Sequence, residues 1–175
     1  MIRNVGINET RAGIISVLNR MGASLEFSNK MDYSGEPACD ILVKSSNLKG
    51  TNISGKEIPL LIDEIPIIAL AAVFAEGETL ITDAEELRFK ESDRISLTVN
   101  WMKDAGAKVE EFQDGMKITG TNYLGGGTFS SHGDHRLAMT LGIASLISQE
   151  SITINDHEAS NVSYPGFWEN LNNLG

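Results

Sequence analysis

With 175 residues, 41% hydrophobic and 22% charged, the chain has an ordinary globular composition and enough length for one well-filled core. Its formal charge of −10 excludes a protein that grips nucleic acid through a basic surface, yet leaves room for a small anion held by a few placed cations. The single cysteine, Cys39, excludes an internal disulfide and a metal site built on cysteines.

Residues 2–5 form a short lead-in strand without the basic-then-apolar pattern of a secretory leader, so a cytoplasmic protein is expected. An amphipathic helix follows over residues 10–21, with Ile14, Val17, Leu18 and Met21 on one face and Gly22 suited to its C-terminus. Residues 10–26 can be laid over residues 94–110 without a gap. That predicts a second such helix over about 92–105, carrying Ile95, Thr98, Val99 and Met102 and ending near Gly106. Beyond it the chain runs to Gln113, turns at Asp114-Gly115 and returns from Met116 to Thr119 as a hairpin.

A different pair also repeats. Asp63 precedes an apolar run at 65–75 and then a Thr- and Ile-bearing strand at 78–83. Asp134 precedes an apolar run at 137–147 and then a similar strand at 151–156. Helices that are apolar almost all round are buried, and neither run is long enough to cross a bilayer. These patterns predict one α/β (α+β) domain over residues 1–175. Its helix-strand units repeat, with solvent-facing helices at 10–21 and 92–105, buried inner helices at 64–75 and 136–147, and sheets around them. A short last helix opens at Tyr164-Pro165-Gly166-Phe167-Trp168 and ends at Leu174-Gly175. With so little chain outside the first and last helices, the domain is expected to belong to a larger protein.

Two charged clusters stand at helix openings. In Leu87-Arg88-Phe89-Lys90-Glu91-Ser92-Asp93-Arg94, the residues Lys90, Glu91 and Arg94 fall on or next to one turn. A solvated helix start capped by Ser92 explains the carboxylate, but it leaves two cations where the helix dipole disfavours them. A bound carboxylate or phosphate would supply the missing negative charge. In Gly133-Asp134-His135-Arg136, Asp134 reads as an N-cap behind the flexible, Gly-rich run 125–133. The buried helix behind it makes a plain surface turn a poor account of Arg136, whose fork suits a carboxylate. His132 and His135 lack a third ligand, so no metal is expected. Asp63 is either an N-cap or, by its place in the repeat, a partner of the second cluster. Two inner helices opening on one side would present backbone N–H groups, ringed by Asp63, Lys90, Glu91, Arg94, His135 and Arg136.

The motifs at 87–94 and 133–139 closely resemble two signatures of the 5-enolpyruvylshikimate-3-phosphate synthase (3-phosphoshikimate 1-carboxyvinyltransferase) family. The stretch Val5-Gly6-Ile7-Asn8-Glu9-Thr10-Arg11-Ala12-Gly13-Ile14 and the ending Val162-Ser163-Tyr164-Pro165-Gly166-Phe167 resemble it too. The resemblance implies an inside-out α/β barrel-like enolpyruvyl transferase domain, the C-terminal half of a two-domain enzyme whose N-terminal domain is absent here. It implies transfer of the enolpyruvyl group of phosphoenolpyruvate to the 5-hydroxyl of shikimate 3-phosphate, with release of phosphate and no cofactor. By matching position, Asp63, Glu91 and His135 correspond to catalytic residues, and Asp63, Lys90, Arg94 and Arg136 to substrate-binding ones. Two positions depart from the pattern: Val162 stands where many members carry a lysine, and Glu86 where the family often has an asparagine. The rivals are the related UDP-N-acetylglucosamine enolpyruvyl transferase and a non-catalytic binding domain. Half a site implies a chain inactive alone.

Overall fold

The computed structural model describes residues 1–173, so the expected end of the last helix at Leu174-Gly175 lies outside the described residues. Strand β1 (Ile2–Gly6) leads into helix α1 (Gly13–Arg20), strands β2 (Ser24–Tyr33), β3 (Glu36–Lys44) and β4 (Asn52–Ile53), helix α2 (Ile65–Val73) and strand β5 (Glu78–Ile81). The order then recurs as α3 (Arg94–Asp104), β6 (Lys108–Phe112), β7 (Gly115–Thr119), β8 (Gly127–Ser130), α4 (His135–Ile147) and β9 (Ile152–Asn155). Helix α5 (Phe167–Asn172) follows. The two copies match in hydrogen bonding as well as in order. At the end of α1, Gly22 N–H donates to Asn19 O and Ala23 N–H to Leu18 O; at the end of α3, Gly106 donates to Lys103 and Ala107 to Met102. Both are the paired bonds of a glycine-terminated helix, with φ of 90° at Gly22 and 84° at Gly106.

Each copy also contains a strand-helix-strand crossover. Helix α2 joins the parallel pair β4–β5, and α4 joins the parallel pair β8–β9. The hairpin β7–β6 completes the first of these into a four-stranded sheet of order β4-β5-β7-β6. The hairpin β2–β3 pairs with β1 instead, and the β8–β9 sheet has only two strands among the described residues. The α/β architecture with inner helices and surrounding sheets is therefore as expected.

The inner helices differ from each other. Helix α2 buries seven of its nine residues, and each fully buried Ile or Leu contributes about 1.5–3 kcal/mol. It packs on α3, α4, β5 and β7. Helix α4 was expected to be buried all round, yet Leu146 and Ile147 at its far end are exposed. The "solvent-facing" description suits α1, which buries only Gly13 and Val17. It understates α3, which buries Arg94, Ile95, Thr98, Val99, Trp101 and Met102.

Three further local features differ from expectation. The hairpin β2–β3 is new, closed by Ser34-Gly35 with φ of 58° and 93°, the two left-handed residues of a tight hairpin turn. The run at 125–133 is not a flexible loop: it holds strand β8 with Phe129 buried. Finally, the β6–β7 turn is Gln113-Asp114, one residue earlier than expected, and Gly115 pairs with Phe112 inside the ladder. Gly115 is there for close approach, since a Cβ would lie 1.9 Å from Ile81 O. Gly115→Ala is expected to cost about 2–3 kcal/mol through forced backbone movement, measured by urea unfolding. An unchanged midpoint would show that this contact yields without strain.

Candidate active site

Three helix openings meet on one side of the core. A 3-10 turn, Ile62–Glu64, feeds α2 and brings two adjacent carboxylates, Asp63 and Glu64. Asp63 is not the N-cap expected for it: Glu64 holds that position, with no side-chain cap bond. The second opening is a 3-10 segment, Glu85–Phe89, followed by α3. Here Asp93, rather than Ser92, is the cap, accepting from Ser96 N at 3.0 Å. Arg88 fastens this segment down. It donates to Asp93 (2.9 Å), Glu111 (2.9 Å), Phe112 O (2.6 Å) and Gln113 O (2.6 Å), so its charge serves the local fold.

The third opening is that of α4, where Asp134 is the N-cap as expected. Its Oδ1 accepts from Arg136 N (2.8 Å) and Leu137 N (3.4 Å). That bonding removes the anticipated floor of free backbone donors at this end. Proline at the start of α2 removes another, because it has no N–H. The groups left here that could meet an anion are chiefly the guanidiniums.

Arg94 lies at the centre with a side chain only 1% exposed. Its Nε donates to Asp134 Oδ2 at 2.8 Å, its Nη1 to Asp63 Oδ1 at 3.1 Å and its Nη2 to Glu91 Oε2 at 2.5 Å. Ser92 Oγ also donates to Asp134 Oδ2, at 2.8 Å. Asp63 and Asp134 hold matching places in the two copies, so the repeat supplies a carboxylate on either side of one guanidinium. Arg136 extends the network. Its Nη2 lies 3.5 Å from Asp63 Oδ2 and its Nη1 3.4 Å from Glu64 Oε1, while its Nε is buried with no partner. Arg11, from the segment before α1, reaches Asp63 Oδ2 at 3.3 Å.

This environment separates the carboxylates. Burial pushes Asp63 upward, but Arg136, Arg94 and Arg11 outweigh it and hold the group below its ordinary 3.8. Burial likewise opposes the charge of Asp134, and the bonds from Arg94 and Ser92 bring it below 3.8. At Glu64 burial prevails over Arg136 and Arg11, and the carboxyl is raised above 4.5.

Of the residues singled out in the sequence, Asp63, Glu91, Arg94 and Arg136 are joined in one network. His135 is the first residue of α4, half-buried beside Arg136 but outside the network among the described residues. Lys90 is also apart, paired with Glu86 at 2.5 Å. The two positions that depart from the family pattern thus differ: Glu86 holds a cation of the cluster, whereas Val162 is 80% exposed. His132 is exposed, and no group of three His, Cys, Asp or Glu residues placed to hold a metal occurs among the described residues. Glu64 and Arg11 were not among the expected residues. The signal for Glu64 was its adjacency to Asp63 and its match, in the repeat, to His135.

A family model for EPSP synthase (3-phosphoshikimate 1-carboxyvinyltransferase) matches residues 1–171. A 3-phosphoshikimate 1-carboxyvinyltransferase of Syntrophotalea carbinolica is 50% identical over 174 residues, which are 99% of this chain and 40% of that protein. An EPSP synthase structure from Acinetobacter baumannii aligns with a TM-score of 0.93 and 41% identity, over 98% of this chain and 40% of that one. The Streptomyces tendae enolpyruvyl transferase NikO shares the fold at a TM-score of 0.70 and 20% identity, over 94% of this chain and 35% of that one. The chain thus spans about two fifths of the length of the relatives it matches most fully.

Two outcomes follow from the buried network. Asp134→Ala leaves the buried Nε of Arg94 without its carboxylate, with only Asp63 and Glu91 remaining, and removes the cap of α4; it is expected to cost about 3–5 kcal/mol in thermal or urea unfolding. The carboxyls of Asp134 and Asp63 are lowered in the folded chain, so their stabilisation is present above about pH 3.8 and lost as pH falls through their folded values. Acid unfolding of Asp134→Asn followed by circular dichroism should lose that component. An acid transition identical to the parent's would remove this pair from the account.

Proposed function

We propose that this chain, which belongs to the EPSP synthase family, supplies the C-terminal half of an interdomain active site. There the enolpyruvyl group of phosphoenolpyruvate passes to the 5-hydroxyl of shikimate 3-phosphate and phosphate is released. The observation that carries this reading is that one carboxylate, Asp63, is shared by the guanidiniums of Arg94, Arg136 and Arg11, while the half-exposed Glu91 touches Arg94.

The chemistry needs a proton removed from the hydroxyl, which finally leaves with the phosphate, and a proton delivered to C3 and later taken back. The hydroxyl oxygen bonds to C2 of phosphoenolpyruvate as C3 gains a proton; phosphate then leaves C2 as C3 gives a proton up and the double bond re-forms. Asp63, kept ionised by its guanidiniums, suits the acceptor of the hydroxyl proton. Glu91, with a side chain 53% exposed beside Arg94, suits the group that protonates and later deprotonates C3. His135 stands beside the cluster as a further proton carrier. Arg94 and Arg136 take the substrate's anionic groups, with Lys90 bridging the two substrates once it leaves Glu86. Asp134 keeps Arg94 aimed through Nε while the two Nη groups exchange Asp63 and Glu91 for ligand oxygens. The N-terminal domain closes the cleft and supplies the rest of the site.

The test is phosphate release from the two substrates, using the chain alone and then mixed with the N-terminal part of a close relative. Release in the mixture alone is expected. In that mixture Glu91→Gln should lower kcat by about 10²–10⁴-fold with a much smaller change in KM. Unchanged turnover removes Glu91 from proton transfer. Silence from a mixture whose parts demonstrably associate favours a non-catalytic binding domain.

A further inference from the structure

We infer that Glu64 is a positioning residue: it aims the guanidinium of Arg136 into the cleft and, with Asp63, leaves one edge of that group open for an anion. The inference rests on the proposed function for its substrate, but the geometry stands by itself. Asp63 and Glu64 are consecutive residues of one 3-10 turn, and each faces a different nitrogen of the same fork, Nη2 at 3.5 Å and Nη1 at 3.4 Å. Both contacts are longer than the 2.5–3.1 Å bonds that fill Arg94, so Arg136 is oriented without being saturated. Its Nε is buried and has no protein partner. The part of the guanidinium open to the cleft is therefore at its Nη groups, the side chain being 28% exposed, and these are the groups Asp63 and Glu64 orient.

The surroundings explain why a carboxylate at 64 is needed for this. The cleft, about 140 Å³, is walled on one side by Ile67, Met139 and Ile143, and Thr140 and Arg136 complete it. With Asp63 alone as partner, the guanidinium would swing toward the Arg94 cluster, where Asp63 is already shared with Arg94 and Arg11. Glu64 pulls from the apolar side and holds the fork across the opening. The charged groups facing it are Arg136 from α4, Arg11 from the segment before α1, and Asp63 from its own turn. Because burial already disfavours its charge, Glu64→Gln should not unfold the chain, which makes the residue testable.

Two measurements decide the matter. In the first, the Nε–Hε resonance of Arg136, assigned by its loss in Arg136→Lys, is followed by NMR in this chain against pH. It should titrate with Glu64 in the parent, lose that titration in Glu64→Gln, and keep it in Asp63→Asn. A resonance indifferent to Glu64→Gln overturns the inference. In the second, the complemented assay should show Glu64→Gln raising KM for phosphoenolpyruvate about tenfold, the size of one lost charge-assisted contact, with kcat within about twofold. An equal KM also overturns it. Absence of phosphate release from the unsubstituted mixture counts against the function instead, since the resonance reports the orientation of Arg136 without turnover.

Discussion

Arg94 is a full positive charge with almost no access to water, and the rest of the domain is arranged around that fact. An unpaired guanidinium in such a place would cost several kcal/mol, so the fold has to deliver carboxylates to it. It does so from two inner-helix openings, those of α2 and α4, while α3 supplies the arginine itself. One side chain thereby fixes the spacing of three helices. Asp134 contributes twice, as counter-charge and as cap of α4, which couples the integrity of that helix to the position of Arg94.

The internal repeat accounts for the symmetry of this arrangement. Asp63 and Asp134 occupy matching places in two copies whose helix ends, hairpins and crossovers also match. Their fates then diverge. Asp134 is fully buried and committed to structure, whereas Asp63 retains partial exposure and borders the cleft with Glu64. One copy provides a fixed anchor and the other a partly exposed carboxylate at the edge of the cleft, the one proposed to meet substrate. In the proposed mechanism, that division keeps Arg94 in place through Asp134 while its other partners change.

Much of this was legible in the sequence because charge at the opening of an apolar helix is conspicuous, and because the repeat marks equivalent positions. The elements α1, α2, α3 and α4, the strands after the inner helices, and the convergence of Asp63, Glu91, Arg94 and Arg136 all follow from those two signals. What was not legible depends on distant partners. Ser92 faces Asp134 instead of capping α3, Lys90 turns to Glu86, and the free amides expected at α4 are used up by Asp134. None of these choices leaves a local pattern. The hairpin β2–β3 is a different case: Leu25, Phe27, Met31 and Tyr33 alternate with polar residues and Ser34-Gly35 marks the turn, so the signal was present, but most of β2 is exposed and no buried face accompanies it. In the Gly-rich run at 125–133, glycine meant close packing, since a Cβ on Gly126 would lie 2.4 Å from Ser151 O.

The two-stranded β8–β9 sheet bears on how the chain behaves in a test tube. Two of the longer edge strands carry charges that discourage pairing with another chain: Glu26, Lys30 and Asp32 on β2, and Lys108, Glu110 and Glu111 on β6. Gly127-Thr128-Phe129-Ser130 and Ile152-Thr153-Ile154-Asn155 carry none. Uncharged strands of this kind do least to discourage pairing with another chain.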